Sequence, residues 1–210
     1  RVLDLTHLLP GPYATQLLAD LGAEVVKIER PDGGDQARHF GTGETDRGHT
    51  PLFDVVNRGK RSLALDLKSG AGRETFLDLA ASADVVVEQF RPGVVDRLGV
   101  GYDDVRAVNE DVVYCSLTGY GQTGPYRDRV GHDLNYVGLG GLLDMTRREP
   151  DGDPTIPGFP IADMAGGLSA ALGIVSALLS RELGAGGGEH LDVAMTDAVL
   201  SLSQLIAGHV

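Results

Sequence analysis

The sequence predicts an α/β fold: a Rossmann-like open, mostly parallel sheet with helices on both faces. Three observations carry this expectation. Short β-branched runs alternate with helix-period segments over most of the chain, each of these runs reads as a buried parallel strand, and nothing repeats internally.

In chain order, Val2 to Leu5, Val25 to Ile28, Leu63 to Leu65, Val85 to Val87, Val112 to Ser116 and Leu191 to Val193 read as strands. Between them, helical spacing is found at Tyr13 to Leu21, Gly72 to Ala81, Val94 to Leu98 and Val105 to Glu110, followed by a long helix from Ala165 to Leu183. Pro31 to Gly59 and Glu149 to Pro160 are rich in Gly, Pro and polar residues and read as long loops, and Gly184 to Gly188 as a turn. In such sheets ligands bind beyond the carboxyl ends of the strands, where strand order reverses. Candidate chemistry is therefore sought there.

With 210 residues and no linker, residues 1–210 are expected to form one domain. The chain opens within one residue of a strand-like run and stops at Gly208-His209-Val210, so an N-terminal portion of a longer protein is expected. A net charge of −12 disfavours nucleic acid and anionic membranes, and no apolar run is read as reaching the ~18 residues of a membrane span. The single cysteine, Cys115, allows no internal disulfide and no Cys/His cluster has metal-ligand spacing, so a cytoplasmic protein without metal is expected.

Gly119-Tyr120-Gly121-Gln122-Thr123-Gly124 fits the dinucleotide fingerprint by letter, but Pro125 and the polar Tyr126 to Arg129 follow without helical periodicity. A fingerprint works by opening a helix whose amides face a pyrophosphate, so a turn that approaches a ligand is the preferred reading. Arg30, Arg91 and Arg97 fall near predicted strand ends and suit a phosphate-bearing ligand; a plain surface role is equally compatible with their spacing. His132, in Gly131-His132-Asp133, reads by itself as structural, as do His7, His39, His49, His190 and His209. Asp163 stands before the long apolar helix, where an Asp is usually an N-cap. The following Gly166-Gly167 would weaken the helix by ~1 kcal/mol each relative to Ala, which a substrate lying against bare backbone would explain.

Leu5-Thr6-His7 with Pro10-Gly11-Pro12, the run Leu21 to Pro31, Asn57 to Ser62, Arg91-Pro92-Gly93 with Arg97-Leu98-Gly99, and Gly119 to Pro125 together resemble family III CoA-transferases of the CaiB/BaiF type, in order and over essentially the whole chain. The resemblance implies an acyl-CoA substrate, with coenzyme A carried by the substrate and no separate cofactor. It further implies a Rossmann-like large domain, a smaller domain from later sequence that is missing here, and an interlocked homodimer. It places Arg30, Arg91 and Arg97 on coenzyme A and makes Asp163 the catalytic carboxylate. In transferases that carboxylate forms a mixed anhydride with the acyl group. In the α-methylacyl-CoA racemase branch it exchanges the α-proton together with a His on the opposite face. Gly131-His132-Asp133 followed by Leu134-Asn135-Tyr136 resembles the racemase branch, so racemisation by His132 and Asp163 is expected first and CoA transfer second. Amides at the start of the Asp163 helix are the expected oxyanion donors. A catalytically silent CoA-binding subunit is the reading from a different class.

Overall fold

The computed structural model describes residues 1–204; His209 and the remainder of the chain end lie outside the described residues. Six strands form one all-parallel sheet: β1 (Val2–Asp4), β2 (Val25–Glu29), β3 (Arg61–Ala64), β4 (Val85–Glu88), β5 (Val113–Thr118) and β6 (Glu189–Ala194), in the order β3-β2-β1-β4-β5-β6. The order reverses between β1 and β4, the doubly wound arrangement expected from sequence. Alternation of side chains sends Val85, Val87, Val113, Cys115 and Leu117 to one face and Val86, Val112 and Tyr114 to the other.

The first face is covered by α1 (Pro10–Asp20), α6 (Asp133–Leu139), α7 (Ile161–Glu182) and α8 (Met195–Leu202), the second by α3 (Gly70–Ala80), α4 (Val94–Leu98) and α5 (Tyr102–Arg106). Each start has a local cause. Pro10 pre-sets the first turn of α1, the Ser69 hydroxyl accepts the Gly72 amide at the head of α3, and α4 lies between Gly93 and Gly99, both left-handed at φ 78° and 70°.

Several expectations are corrected. The segment Pro31 to Gly59 is not a continuous loop: it holds a 3-10 turn, Gln36–Arg38, and α2 (Pro51–Val56), started by Thr50 and Pro51. The helix expected over Val105 to Glu110 runs over Tyr102–Arg106, because the Asp104 carboxylate takes the Gly101 amide and begins it earlier. α6 runs over Asp133–Leu139, where the sequence reading placed no helix, while Glu149 to Pro160 holds no helix or strand, as expected of a loop. α7 has the length and apolarity of a membrane span, with mean hydropathy 1.6 over 18 residues, contrary to the expectation of no such run. Its Ala162, Gly166, Gly167, Ala170 and Ile174 are buried in the core, while Leu168, Leu172, Val175, Leu179 and Leu183 form an exposed stripe.

The glycines of α7 are also corrected. A Cβ on Gly166 would lie 2.7 Å from Met195 Cγ, and one on Gly167 would lie 2.7 Å from the Pro10 carbonyl oxygen and 2.8 Å from Tyr13 Cδ1. They let α7 approach α8 and α1; they do not expose backbone to a ligand.

Candidate active site

Two clefts open at the switch point between the carboxyl ends of β1 and β4. The larger, about 490 Å³, is walled by His7, Leu8, Gln89, Arg91, Tyr120, Arg127, Arg129, His132, Tyr136 and Asp163, among others. The smaller, about 210 Å³, shares His7 with it and is lined by Phe90, Arg30 and Asp35. The sheet thus brings His132, Asp163 and Arg91 into one cleft and Arg30 into its neighbour. Arg97 lies elsewhere, with Lys68, Ser69 and Arg73. A Cβ on Gly93 would lie 3.3 Å from Arg97 Nη1 and 3.8 Å from Arg127 Nη2, so Arg97 reaches the edge of the wall that Arg127 forms.

The floor of the switch point is a buried ion network. Asp4, at the end of β1, is fully buried and takes hydrogen bonds from Thr6 and Thr15 and from Lys60 Nζ at 2.9 Å. Lys27 pairs with Asp35 at 2.9 Å and donates to the Thr6 carbonyl at 2.8 Å. Asp4 is itself buried, which alone would raise its carboxyl, but Lys27, Lys60 and the two hydroxyls hold it far below the usual carboxylate range. Burial pushes the Lys60 ammonium down to about 8. Asp35 Oδ1 also accepts the Leu8 amide at 2.9 Å, holding that residue at φ 63°. A left-handed leucine is strained, and here the charge network fixes the strained turn that carries His7 and Leu8 into the clefts.

On the opposite wall, Asp163 occupies the third position of α7, not its cap. Pro160 is the N-cap and offers no side-chain bond, so the N-cap reading of Asp163 is corrected. The helix is capped from a distance: Asp133 Oδ1 accepts the amides of Ala162 at 2.6 Å and Asp163 at 3.1 Å. The Met164 amide bonds to the Pro160 carbonyl. These amides are taken, which corrects the expectation that they form an oxyanion hole. Burial, and then the Asp133 charge, push the Asp163 carboxyl up to about 7.

His132 caps α6 and is exposed; its amide donates to Asn135 Oδ1 at 2.9 Å. Tyr136 is buried beside it and donates to the Gly131 carbonyl at 2.7 Å, and burial raises its phenol to about 12. Its ring abuts Gly119, where a Cβ would lie 2.4 Å from Cε1. The Gly119 to Gly124 segment opens no helix. It is a turn whose Gln122 amide donates to Asp192, in keeping with the turn reading and not with a dinucleotide fingerprint.

Arg127 and Arg129 were not singled out from sequence, because Tyr126 to Arg129 has no periodicity. His7 was read as structural, yet it lines both clefts, and burial lowers its imidazole. Asp163 is the one carboxylate among the cleft's lining residues, against Arg91, Arg127 and Arg129. Such a site can hold an anion beside a carboxyl able to switch protonation state near neutrality.

The sequence profile of CoA-transferase family III matches residues 1–209. The chain belongs to that family. Acetyl-CoA:oxalate CoA-transferase from Acetobacter aceti is 43% identical over 97% of the chain and 51% of its own length. Succinyl-CoA:glutarate CoA-transferase from Mus musculus is 42% identical over 100% of the chain and 48% of its own. The crystal structure of a CaiB/BaiF family protein from Brucella suis superimposes with a TM-score of 0.92 at 39% identity, over 99% of the chain and 55% of that protein. This family III chain spans about half the length of the curated relatives it matches. The names of these relatives shift the weight from racemisation, expected first on His132, to CoA transfer.

Proposed function

We propose that the protein containing this chain is a CoA-transferase that moves coenzyme A between an acyl-CoA and a free carboxylic acid, with Asp163 as the nucleophile. The observation that carries the reading is a single, half-buried carboxyl in a cleft whose walls also hold Arg91, Arg127 and Arg129. A free acid and a CoA thioester both bring negative charge to such a cleft, and guanidinium groups bind carboxylate and phosphate through paired hydrogen bonds. The relatives named above act on oxalate and glutarate, so a dicarboxylic acid is the acceptor class this reading adopts.

Chemically, Asp163 Oδ attacks the thioester carbonyl, the C–S bond breaks, and CoA thiolate leaves a mixed anhydride on the enzyme. Thiolate then attacks the aspartyl carbonyl and releases the first acid, giving an aspartyl thioester. The acceptor carboxylate repeats these steps in reverse and regenerates Asp163. Two easier acyl transfers replace one direct exchange. The ionised form is the nucleophile, and a carboxylate of raised basicity attacks better when ionised. Arg30, Arg91 and Arg97 are assigned to the coenzyme A phosphates and adenosine, and a homodimer of the longer chain belongs to the same proposal.

His132 in the cleft with Asp163 supports a second reading, α-proton exchange on a 2-methylacyl-CoA. Incubating the full-length protein with an acyl-CoA and an ¹⁸O-labelled dicarboxylic acid tests both. A new thioester, with ¹⁸O appearing in Asp163, is the expected result. No new thioester, together with α-deuterium incorporation from deuterium oxide, would replace the first reading by the second.

A further inference from the structure

We propose that Asp133 is the positioning residue for Asp163: one of its carboxylate oxygens seats the first turn of α7 against the first turn of α6 and holds the Asp163 carboxyl in the cleft beside His132. An N-cap side chain ordinarily satisfies the amides of the second and third helical residues from the position just outside the helix. In α7 that position is Pro160, which has no side-chain acceptor. Asp133, at the head of α6, supplies the missing acceptor from 29 residues away, at 2.6 Å to Ala162 and 3.1 Å to Asp163.

Ala162 is fully buried, so its amide depends on this oxygen and not on water. Asp133 adjoins His132 in sequence and bonds the backbone of Asp163, so one side chain sets the spacing of the two wall residues. It also places a negative charge beside the carboxyl it positions. The titratable groups around Asp163 are Asp133 and Tyr136 from α6, His132 at its cap, Arg91 from the segment after β4, Arg127 and Arg129 from the segment after β5 and His7 from the segment after β1. Among these, Asp133 alone both touches the Asp163 backbone and raises the carboxyl.

The proposal rests on Asp163 being the reacting carboxylate, and the test separates the two. In the full-length protein, Asp133→Asn keeps an oxygen that accepts both amides but removes the charge, whereas Asp133→Ala removes both. For Asp133→Asn, kcat at pH 8 is expected within about threefold of wild type, with the acidic limb of the pH profile moved down. For Asp133→Ala, kcat is expected to fall about 100-fold, with KM for the acyl-CoA little changed. A kcat for Asp133→Asn as low as that expected for Asp133→Ala overturns the proposal, even where Asp133→Ala fails to fold. The titration of Asp163 is also read directly by carboxyl ¹³C NMR of the resting protein, with Asp163→Asn for assignment. If wild type transfers no CoA, the proposed function falls, and the backbone amide resonances of Ala162 and Asp163 still decide the role of Asp133: near-wild-type positions in Asp133→Asn support it, and displacement of both in Asp133→Asn overturns it.

Discussion

Asp133 and Asp163 stand on different helices, yet the amide of Asp163 donates to Asp133 Oδ1 at 3.1 Å while the charge of Asp133 helps raise the Asp163 carboxyl to about 7. The same contact that locates the second aspartate alters its acidity. Stability and reactivity are coupled at this point.

Asp163→Asn is expected to abolish CoA transfer and to stabilise the fold above neutrality. The folded-state value lies above the ordinary 3.8, so the folded protein holds a proton that the unfolded chain releases. The contribution of Asp163 is complete below pH 3.8 and is lost as pH rises towards about 7. Thermal melts at pH 8 should therefore show a Tm rise of about 2–4 °C for the variant and a smaller difference at pH 5.

Asp4→Asn is expected to have the opposite signature. Its folded value is depressed, so its stabilisation is complete above 3.8 and is lost as pH falls below that value. Removing the charge leaves Lys60 and Lys27 short of a buried partner, a loss of about 3–5 kcal/mol in urea unfolding at pH 7. A loss under about 1 kcal/mol would show that the network contributes little.

Gly167→Ala places a methyl group 2.7 Å from the Pro10 carbonyl. Neither backbone can yield without moving α1 from α7, so a destabilisation of about 1–3 kcal/mol is expected. Pro10 lines the large cleft, so a rise in KM for the acyl-CoA should accompany it.

Single alanine substitutions of Arg30, Arg91 and Arg97 should each raise KM for the acyl-CoA, about tenfold, as loss of one charge-assisted bond implies. Arg127→Ala and Arg129→Ala should instead raise KM for the acid acceptor. Initial rates with each substrate varied separately distinguish the two groups, and equal effects on both substrates would undo the assignment.

The sheet was legible because its central strands are buried and rich in Val and Leu, whereas the edge strands Arg61–Ala64 and Glu189–Ala194 are largely exposed and were recognised only at their apolar residues. Helices with a strong apolar period were legible too. α2 was hidden in a polar, glycine-rich segment, although Thr50-Pro51 is a start signal, and α6 is only seven residues long with Gly138 near its end, too short to show a period. Asp163 was singled out from the sequence and lines the cleft, but its capping role was misassigned. The acceptor for the α7 amides comes from Asp133, and nothing in the local sequence at 160–163 announces a partner so far away. Gly166 and Gly167 were noticed for the right reason, their cost in a helix, and explained wrongly, because the helices they admit are brought together by tertiary packing alone.

The occupied amides of α7 carry a lesson for inhibitor chemistry. A tetrahedral mimic built around a fixed negative oxygen gains no donors from the Ala162, Asp163 and Met164 amides. A neutral electrophile that captures the Asp163 carboxyl, with an acidic tail reaching Arg127 and Arg129, matches the cleft better.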